Sequence, residues 1–406
     1  MRIAYIAPYQ GPRVLRARPI VVNLSLAGNL KIELIAKLLQ QSGHQVEILS
    51  QGEIVGNHCR FYRSFNEPVA SHPEITAYYA SVFPLKYVNA AWPSLFTLSL
   101  FRKRHRLAPY DLVLLYNLKG PQLACALYAI RRLGVPVVLE YEDDAIVDVN
   151  GKSETGIVAR IYFRLVNMCL RLVSGCTGVS PHLLSQVPSP VPKLLLRGVV
   201  SDDVLAVGRD PHVVKKNWVV YSGTHSQAKG LAQLVSAWRM LDLPDWELHI
   251  AGHGGLTPVL KTMAEQRKDI VFRGLLNQRE NAALLASAKI AINPHDVSDT
   301  PGNVFAFKII EYLAAGAHVI STPMGFLEPE LETGITYMPE NTPATIARTI
   351  MRVVAERLHE QNATQAAQNR YGPAAIATSL DRLVRDASIA RVEQTKLPIK
   401  ARESNA

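Results

Sequence analysis

The chain has 406 residues, enough for two domains of ordinary size, each with its own core. With 48% hydrophobic and 19% charged residues it reads as a soluble globular protein, and its net charge of +10 calls for a polyanionic partner or surface. Cys59, Cys125, Cys169 and Cys176 lack CxxC spacing, which excludes a disulfide scaffold or zinc finger and points to reduced, cytoplasmic thiols.

The opening MRIAYIAPYQGPR turns polar too early for a signal peptide, and no stretch reaches the roughly 20 apolar residues of a membrane span. Ile3–Ala7 is the first apolar strand, and helical spacing over Leu30–Gln41 stops at Ser42-Gly43. Val46–Leu49 is a second strand. Residues 51–109 carry a weaker pattern, read as inserted helices and loops. Within them Trp92–Phe101 runs into Arg102, Lys103, Arg104, His105 and Arg106, an apolar stretch joined to basic residues. Such a segment suits an anionic membrane face, so peripheral attachment to the inner face of the plasma membrane is one expectation; a solvated loop beside a core helix is the other. No zinc finger, RNA-binding aromatic signature or basic helix suggests a nucleic-acid partner.

Alternation continues through Leu112–Tyr116, helix Gln122–Leu133, Val137–Glu140, helix Val158–Val173 and Gly178–Ser180. Strands separated by such helices build a parallel sheet covered on both faces. After the proline-rich Val187–Pro192 the pattern restarts at Trp218–Tyr221. Helix Leu231–Met240, strand Glu247–Ala251, a helix near Leu260–Glu265, strand Ile270–Phe272, helix Arg279–Ser287 and strand Ile290–Asn293 follow. No GxGxxG follows the first strand, which argues against a dinucleotide dehydrogenase.

From Val304 to Ala315 every residue is apolar except Lys308, Glu311 and Tyr312, the pattern of a helix buried on nearly all sides. Lys308 and Glu311 are three apart and share a face, and charges in such surroundings need partners. Gly316 stops the helix and Val319–Ser321 forms the next strand. The unit resembles the nucleotide-sugar-binding helix of GT-B glycosyltransferases, in particular the retaining family 4. An internal ion pair that fixes a core helix accounts for the same residues.

This resemblance implies an α/β protein with the GT-B fold: two Rossmann-like, doubly wound parallel-sheet domains facing a central cleft. Residues 1–204 would form the acceptor domain and 205–372 the nucleotide-sugar domain. A helix over 373–392, with Ile376, Leu380, Leu383, Val384 and Ala387 on one face, would pack back on the first domain, leaving 393–406 as a frayed tail. In the family, the glutamate at the Glu311 position holds the donor ribose, so Glu311 would do so here. Gly223, Lys229 and Gly230 match the strand–Gly-Arg–loop–Lys-Gly segment that binds pyrophosphate, with Thr224 in place of the arginine. Gly252 and Gly254 resemble the next glycine turn, and Arg273-Gly274 the turn whose backbone contacts the base. Asn303 replaces the first glutamate of the family's acidic pair and would bind sugar hydroxyls or cap the helix, and Lys308 fits a branch that carries such a change. His295 and Asp296 end a strand on the same edge and would face sugar or acceptor.

In the first half, Gly28 and Asn29 occupy the place of the family's phosphate loop. Glu142 stands where the family has histidine, followed by Asp143. Either carboxylate would orient or deprotonate an acceptor hydroxyl, or cap the next helix. The expected reaction is transfer of a sugar from a UDP- or GDP-linked donor to a hydroxyl of a glycan or lipid-linked acceptor, in cell-surface polysaccharide or glycolipid assembly. Lys229, alone or with Lys308, would stabilise the leaving diphosphate in place of a metal, and no cofactor is expected. A non-catalytic GT-B module that binds a glycan or partner enzyme, and a nucleotide-sugar epimerase, are the rival readings.

Overall fold

The computed structural model describes residues 1–18, 26–52, 59–84, 92–142, 157–188, 190–296, 306–323, 325, 327–356 and 361–396. It forms two compact units, one of Met1–Arg197 with Ile376–Ala406, the other of Gly198–Ala375.

The first unit opens with β1 (Arg2–Ile6), a short α1 (Pro12–Ala17), α2 (Leu26–Gln41) and β2 (Gln45–Ser50). β3 (Phe65–Val69), β4 (His72–Tyr79), α3 (Trp92–Leu107), β5 (Leu112–Tyr116), α4 (Gly120–Tyr128) and β6 (Val137–Tyr141) follow. Then come α5 (Ile157–Leu172), β7 (Gly175–Gly178), α6 (Pro181–Ser185) and β8 (Lys193–Leu195). The sheet runs β3-β4-β2-β1-β5-β6-β7-β8, parallel except for the β3–β4 hairpin. That hairpin departs from the helices and loops expected over 51–109. Buried Ile75, Ala77 and Tyr79 alternate with outward residues, and Pro68 sits on the edge strand, where a missing N–H costs nothing.

Parallel strands buried on both faces become near-continuous apolar runs. Val113, Leu115, Val137, Leu139 and Tyr141 face α3, α4 and α5. Leu114, Val138 and Glu140 turn the other way, toward Ile35 and Leu39 of α2 and toward Leu380, Leu383 and Val384.

The second unit contains α7 (Asp202–Gly208), β9 (Lys216–Ser222), α8 (Leu231–Arg239), β10 (Glu247–Ala251), α9 (Thr257–Ala264) and β11 (Ile270–Gly274). It continues through α10 (Gln278–Ser287), β12 (Ala288–Asn293), α11 (Lys308–Ala314), β13 (His318–Ser321), α12 (Pro329–Glu332), β14 (Ile335–Tyr337), α13 (Pro343–Glu356) and α14 (Gln361–Tyr371). The last helix, α15 (Pro373–Lys396), brings Ile376 and the residues after it into the first unit. The second sheet is wholly parallel, in the order β11-β10-β9-β12-β13-β14. Val219 and Tyr221 of β9 face α8, α9 and α13, whereas Trp218 and Val220 face α7, α10 and α11. Winding proceeds from β9 to β10 and β11 on one side, then resumes at β12 on the other. The carboxyl ends of β9 and β12 therefore flank the switch point, where open α/β sheets bind ligands.

Candidate functional site

Four titratable side chains gather at that switch point. Beyond β9, Gly223 has φ +150°, and a Cβ there would stand 2.6 Å from Lys308 Nζ. The lysine comes from the first residue of α11 and rests 4.1 Å from the centre of the Tyr221 ring. Tyr312, four residues on, fixes α11 against the end of β9: its hydroxyl accepts the Ser222 N–H at 2.9 Å and donates to the Ser222 carbonyl at 3.0 Å.

Lys229 arrives on the short turn Gln227–Lys229, held to the β12 exit by the Asp296 N–H, which donates to the Ala228 carbonyl at 2.9 Å. Burial lowers its pKa. Burial, then repulsion from Lys229, brings Lys308 down to about 7 against the attraction of Glu311. Glu311 is pushed up to about 7 by burial, opposed by Lys308. His295, beyond β12, is lowered to about 4 by burial and by both lysines, so it is neutral at physiological pH. Its Nδ1 is buried without a hydrogen-bond partner among the described residues. Lys308 and Glu311 attract one another without forming an ion pair, and among the described residues the Glu311 carboxylate accepts no hydrogen bond.

The glycine turn after β10 closes on this loop. Gly252, at φ +113°, approaches so closely that a Cβ would meet the Gly223 carbonyl oxygen at 1.9 Å, and one at Gly254 would meet the His225 carbonyl at 2.3 Å. Buried His225 ties both turns together, with Nδ1 2.8 Å from Thr257 Oγ1 and its own N–H donating to the His253 carbonyl at 3.1 Å. Thr224 is exposed and accepts the Tyr221 hydroxyl through its carbonyl at 2.9 Å. Gly274 accepts the Gly252 N–H at 2.7 Å. Arg273 is not brought to Lys308: its Nε donates to His249 Nδ1 at 2.9 Å, on the Trp218 face of the sheet. Asn303 and Asp143 lie outside the described residues.

The first unit has its own polar cluster at the strand ends. Lys31 of α2 forms an ion pair with Glu142 and lies 3.6 Å from Glu140. The Tyr5 hydroxyl donates to Glu140, which is buried. Burial raises Glu140 to about 7 despite Lys31. For Lys31, burial is outweighed by Glu142 and Glu140, which hold its pKa above the ordinary value. Asn117, at φ +60°, accepts the Glu142 N–H at 2.7 Å. Gly28 lies in the first turn of α2, where the neighbouring Asn29 exchanges two hydrogen bonds with Gln10, at 2.9 and 3.0 Å. Among the described residues, no group of three or more His, Cys, Asp or Glu is placed to hold a metal ion.

Residues 216–356 match the family model described as glycosyl transferases group 1. No curated protein sequence matches the chain. Solved structures resemble it along nearly its whole length. Sucrose-phosphate synthase from Thermosynechococcus elongatus aligns with TM-score 0.67 and 16% identity, over 96% of this chain and 100% of that one. HepE from Anabaena, in complex with UDP-glucose, aligns with TM-score 0.60 and 13% identity, over 95% and 99%. A candidate UDP-N-acetylglucosamine 2-epimerase from Listeria monocytogenes aligns with TM-score 0.55 and 13% identity, over 94% of each.

The fold is GT-B. Within this GT-B chain, sequence reasoning overlooked Lys31, Tyr5, Tyr221 and His225. A signal existed for the first two, since Glu140 is the lone charge in the apolar run Val137–Tyr141 and must find partners elsewhere in the GT-B sheet. Tyr221 and His225 carry no such mark, because only the folded turn brings them against Lys308 and the Gly252 loop.

Proposed function

We propose that this chain is a glycosyltransferase that moves a sugar from a nucleotide-diphosphate sugar to a hydroxyl acceptor, with retention at the anomeric carbon. The observation that carries the reading is the pair Lys308 and Glu311: two charges drawn toward neutrality at the switch point, held apart, with Glu311 accepting no hydrogen bond among the described residues. A half-buried carboxylate that accepts no hydrogen bond among the described residues suits ribose hydroxyls, and Lys229 with Lys308 suits a diphosphate. The match of residues 216–356 to glycosyl transferases group 1 supports the same donor class.

In the proposed reaction an acceptor oxygen attacks the anomeric carbon from the face the diphosphate leaves. The bond from that carbon to the phosphate oxygen breaks, and the acceptor proton passes to the departing phosphate. Lys229 and Lys308 compensate the charge developing on that oxygen. His295 and Asn303 are assigned to the sugar hydroxyls, and the backbones of Gly223, Gly252, Gly254 and Gly274, with Thr224, to the nucleotide's approach. The backbone of Arg273 and Gly274 is assigned to the base, with the Arg273 side chain remaining on His249. Glu142 and Asp143 are assigned to the acceptor hydroxyl.

UDP is the first nucleotide to test, because the HepE structure holds UDP-glucose. Calorimetric titration of UDP and GDP into the wild type, with EDTA present, is expected to show one nucleotide binding. Glu311→Ala should weaken it roughly 10- to 100-fold, the worth of hydrogen bonds to a charged group. Failure of both nucleotides to bind folded protein would sink the reading in favour of a non-catalytic module. Isomerised donor recovered without acceptor would make the chain an epimerase.

A further inference from the structure

The first sheet is covered unequally. On one face, α2 and α15 mix signs, as Glu33 with Lys37 and Asp381 with Arg385 illustrate. The other face carries α3, α4, the turn Ala129–Leu133 and α5. These segments contain nine arginine or lysine residues and no aspartate or glutamate. Arg104 is bound to Glu47, with Nη2 2.7 Å from Oε1. The other eight are exposed. Asp111, at the edge of this face, is already engaged by the Arg2 N–H at 2.7 Å.

Apolar groups accompany this charge in a fixed arrangement. Along α3, positions 95, 99, 102, 103, 106 and 107 are exposed while Pro93, Thr97 and Phe101 are buried, so one stripe runs from Leu95 to Arg106 and Leu107. At its start Phe96 stacks on Trp92, ring centres 5.6 Å apart, and meets Phe61 edge-on at 5.9 Å. α5 repeats the pattern, with Ile157 and Ile161 ahead of Arg164. Both helices cross between parallel strands, so their apolar starts lie together at the carboxyl edge of the sheet. Phe61, Leu95, Ile157 and Ile161 are between 51% and 76% exposed.

We propose that the α3–α4–α5 face docks on an anionic lipid bilayer. Headgroups meet the arginines and lysines while the aromatic and aliphatic residues at the helix starts enter the acyl boundary. A nucleic acid would use the cations, but it offers nothing to Leu95, Ile157 and Ile161. The inference stands independently of the sugar-transfer reading.

Sedimentation with vesicles tests it on the full chain. The wild type is expected to bind vesicles containing phosphatidylglycerol, release them as salt rises, and ignore pure phosphatidylcholine. Each cation near such a surface contributes about fivefold, so the combined variant Arg102→Gln, Lys103→Gln and Arg106→Gln should bind on the order of a hundredfold more weakly. Its melting temperature should change little, since all three side chains are exposed and only the contact of Arg102 with the Tyr128 ring, 5.2 Å away, is lost. Phe61→Ser with Leu95→Ser should remove the binding that survives in high salt. The proposal is overturned if wild type ignores anionic vesicles, if the arginine–lysine variant binds undiminished, or if the serine pair changes nothing. Tighter binding to oligothymidylate than to the vesicles would assign the face to nucleic acid instead.

Discussion

Gly223 and Gly252 differ in what a methyl group would strike. At Gly223 the obstacle is the end of the Lys308 side chain, which can swing away; at Gly252 it is the Gly223 carbonyl, which cannot. Both hold positive φ, so each alanine costs about 1–3 kcal/mol in strain. Gly223→Ala should cost little more than that in thermal stability while weakening UDP binding, and Gly252→Ala should cost distinctly more. Equal melting temperatures would contradict this geometry. Proton exchange offers a second check. With Lys308 and Glu311 both near 7, free protein at pH 8 has a largely neutral lysine, and at pH 6 a largely protonated glutamate. A diphosphate favours the charged lysine, and ribose hydroxyls favour the carboxylate. Calorimetry in buffers of different ionisation enthalpy should therefore show proton uptake on UDP binding at pH 8 and release at pH 6. No exchange at either pH would remove Lys308 and Glu311 from the binding step. Sequence pattern picked out both residues because they interrupt an apolar run. It could not foresee that the two would stand without an ion pair between them, which only the folded helix shows.

Among the elements, β1, β6 and α2 are joined through Lys31, Glu140, Glu142 and Tyr5. Removing Lys31 leaves a buried carboxylate without its cation, so Lys31→Met should cost about 3 kcal/mol at pH 8 and less at pH 5, where Glu140 protonates. Glu140 itself has a folded pKa, about 7, above its ordinary 4.5. Its contribution is therefore fully present below about 4.5 and lost as pH rises through about 7. Chemical denaturation from pH 4.5 to 8 should show that decline in wild type and a flatter profile in Glu140→Gln. Parallel strands such as Val137–Tyr141 were legible from unbroken apolar runs. The β3–β4 hairpin was not, because its alternation spans few residues and begins beside Pro68 and Pro73, which read as loop.

At the scale of the molecule, two wound sheets could be inferred because strand–helix alternation stops near Val187–Pro192 and restarts at β9. What pattern alone could not supply is which helix faces carry unbalanced charge, since that depends on the neighbours α3, α4 and α5 find on the sheet. The first unit is completed by α15, whose Ile376, Leu380, Leu383 and Val384 are buried and whose Asp381 lies 2.8 Å from His44. Those four side chains are worth about 6–12 kcal/mol, the size of a domain's whole stability. Deleting 376–406 should abolish the first unit's cooperative melting and leave that of Gly198–Ala375. α15 thus fills a gap in the unit that is translated before the other, which bears on synthesis. The second unit is continuous, and all of it is synthesised before the part of α15 that belongs to the first. The first, although translated before it, keeps α2 and the back of its sheet uncovered until α15 has been made. Birth order and completion order are reversed, so it is the amino-terminal half that depends longest on protection from aggregation.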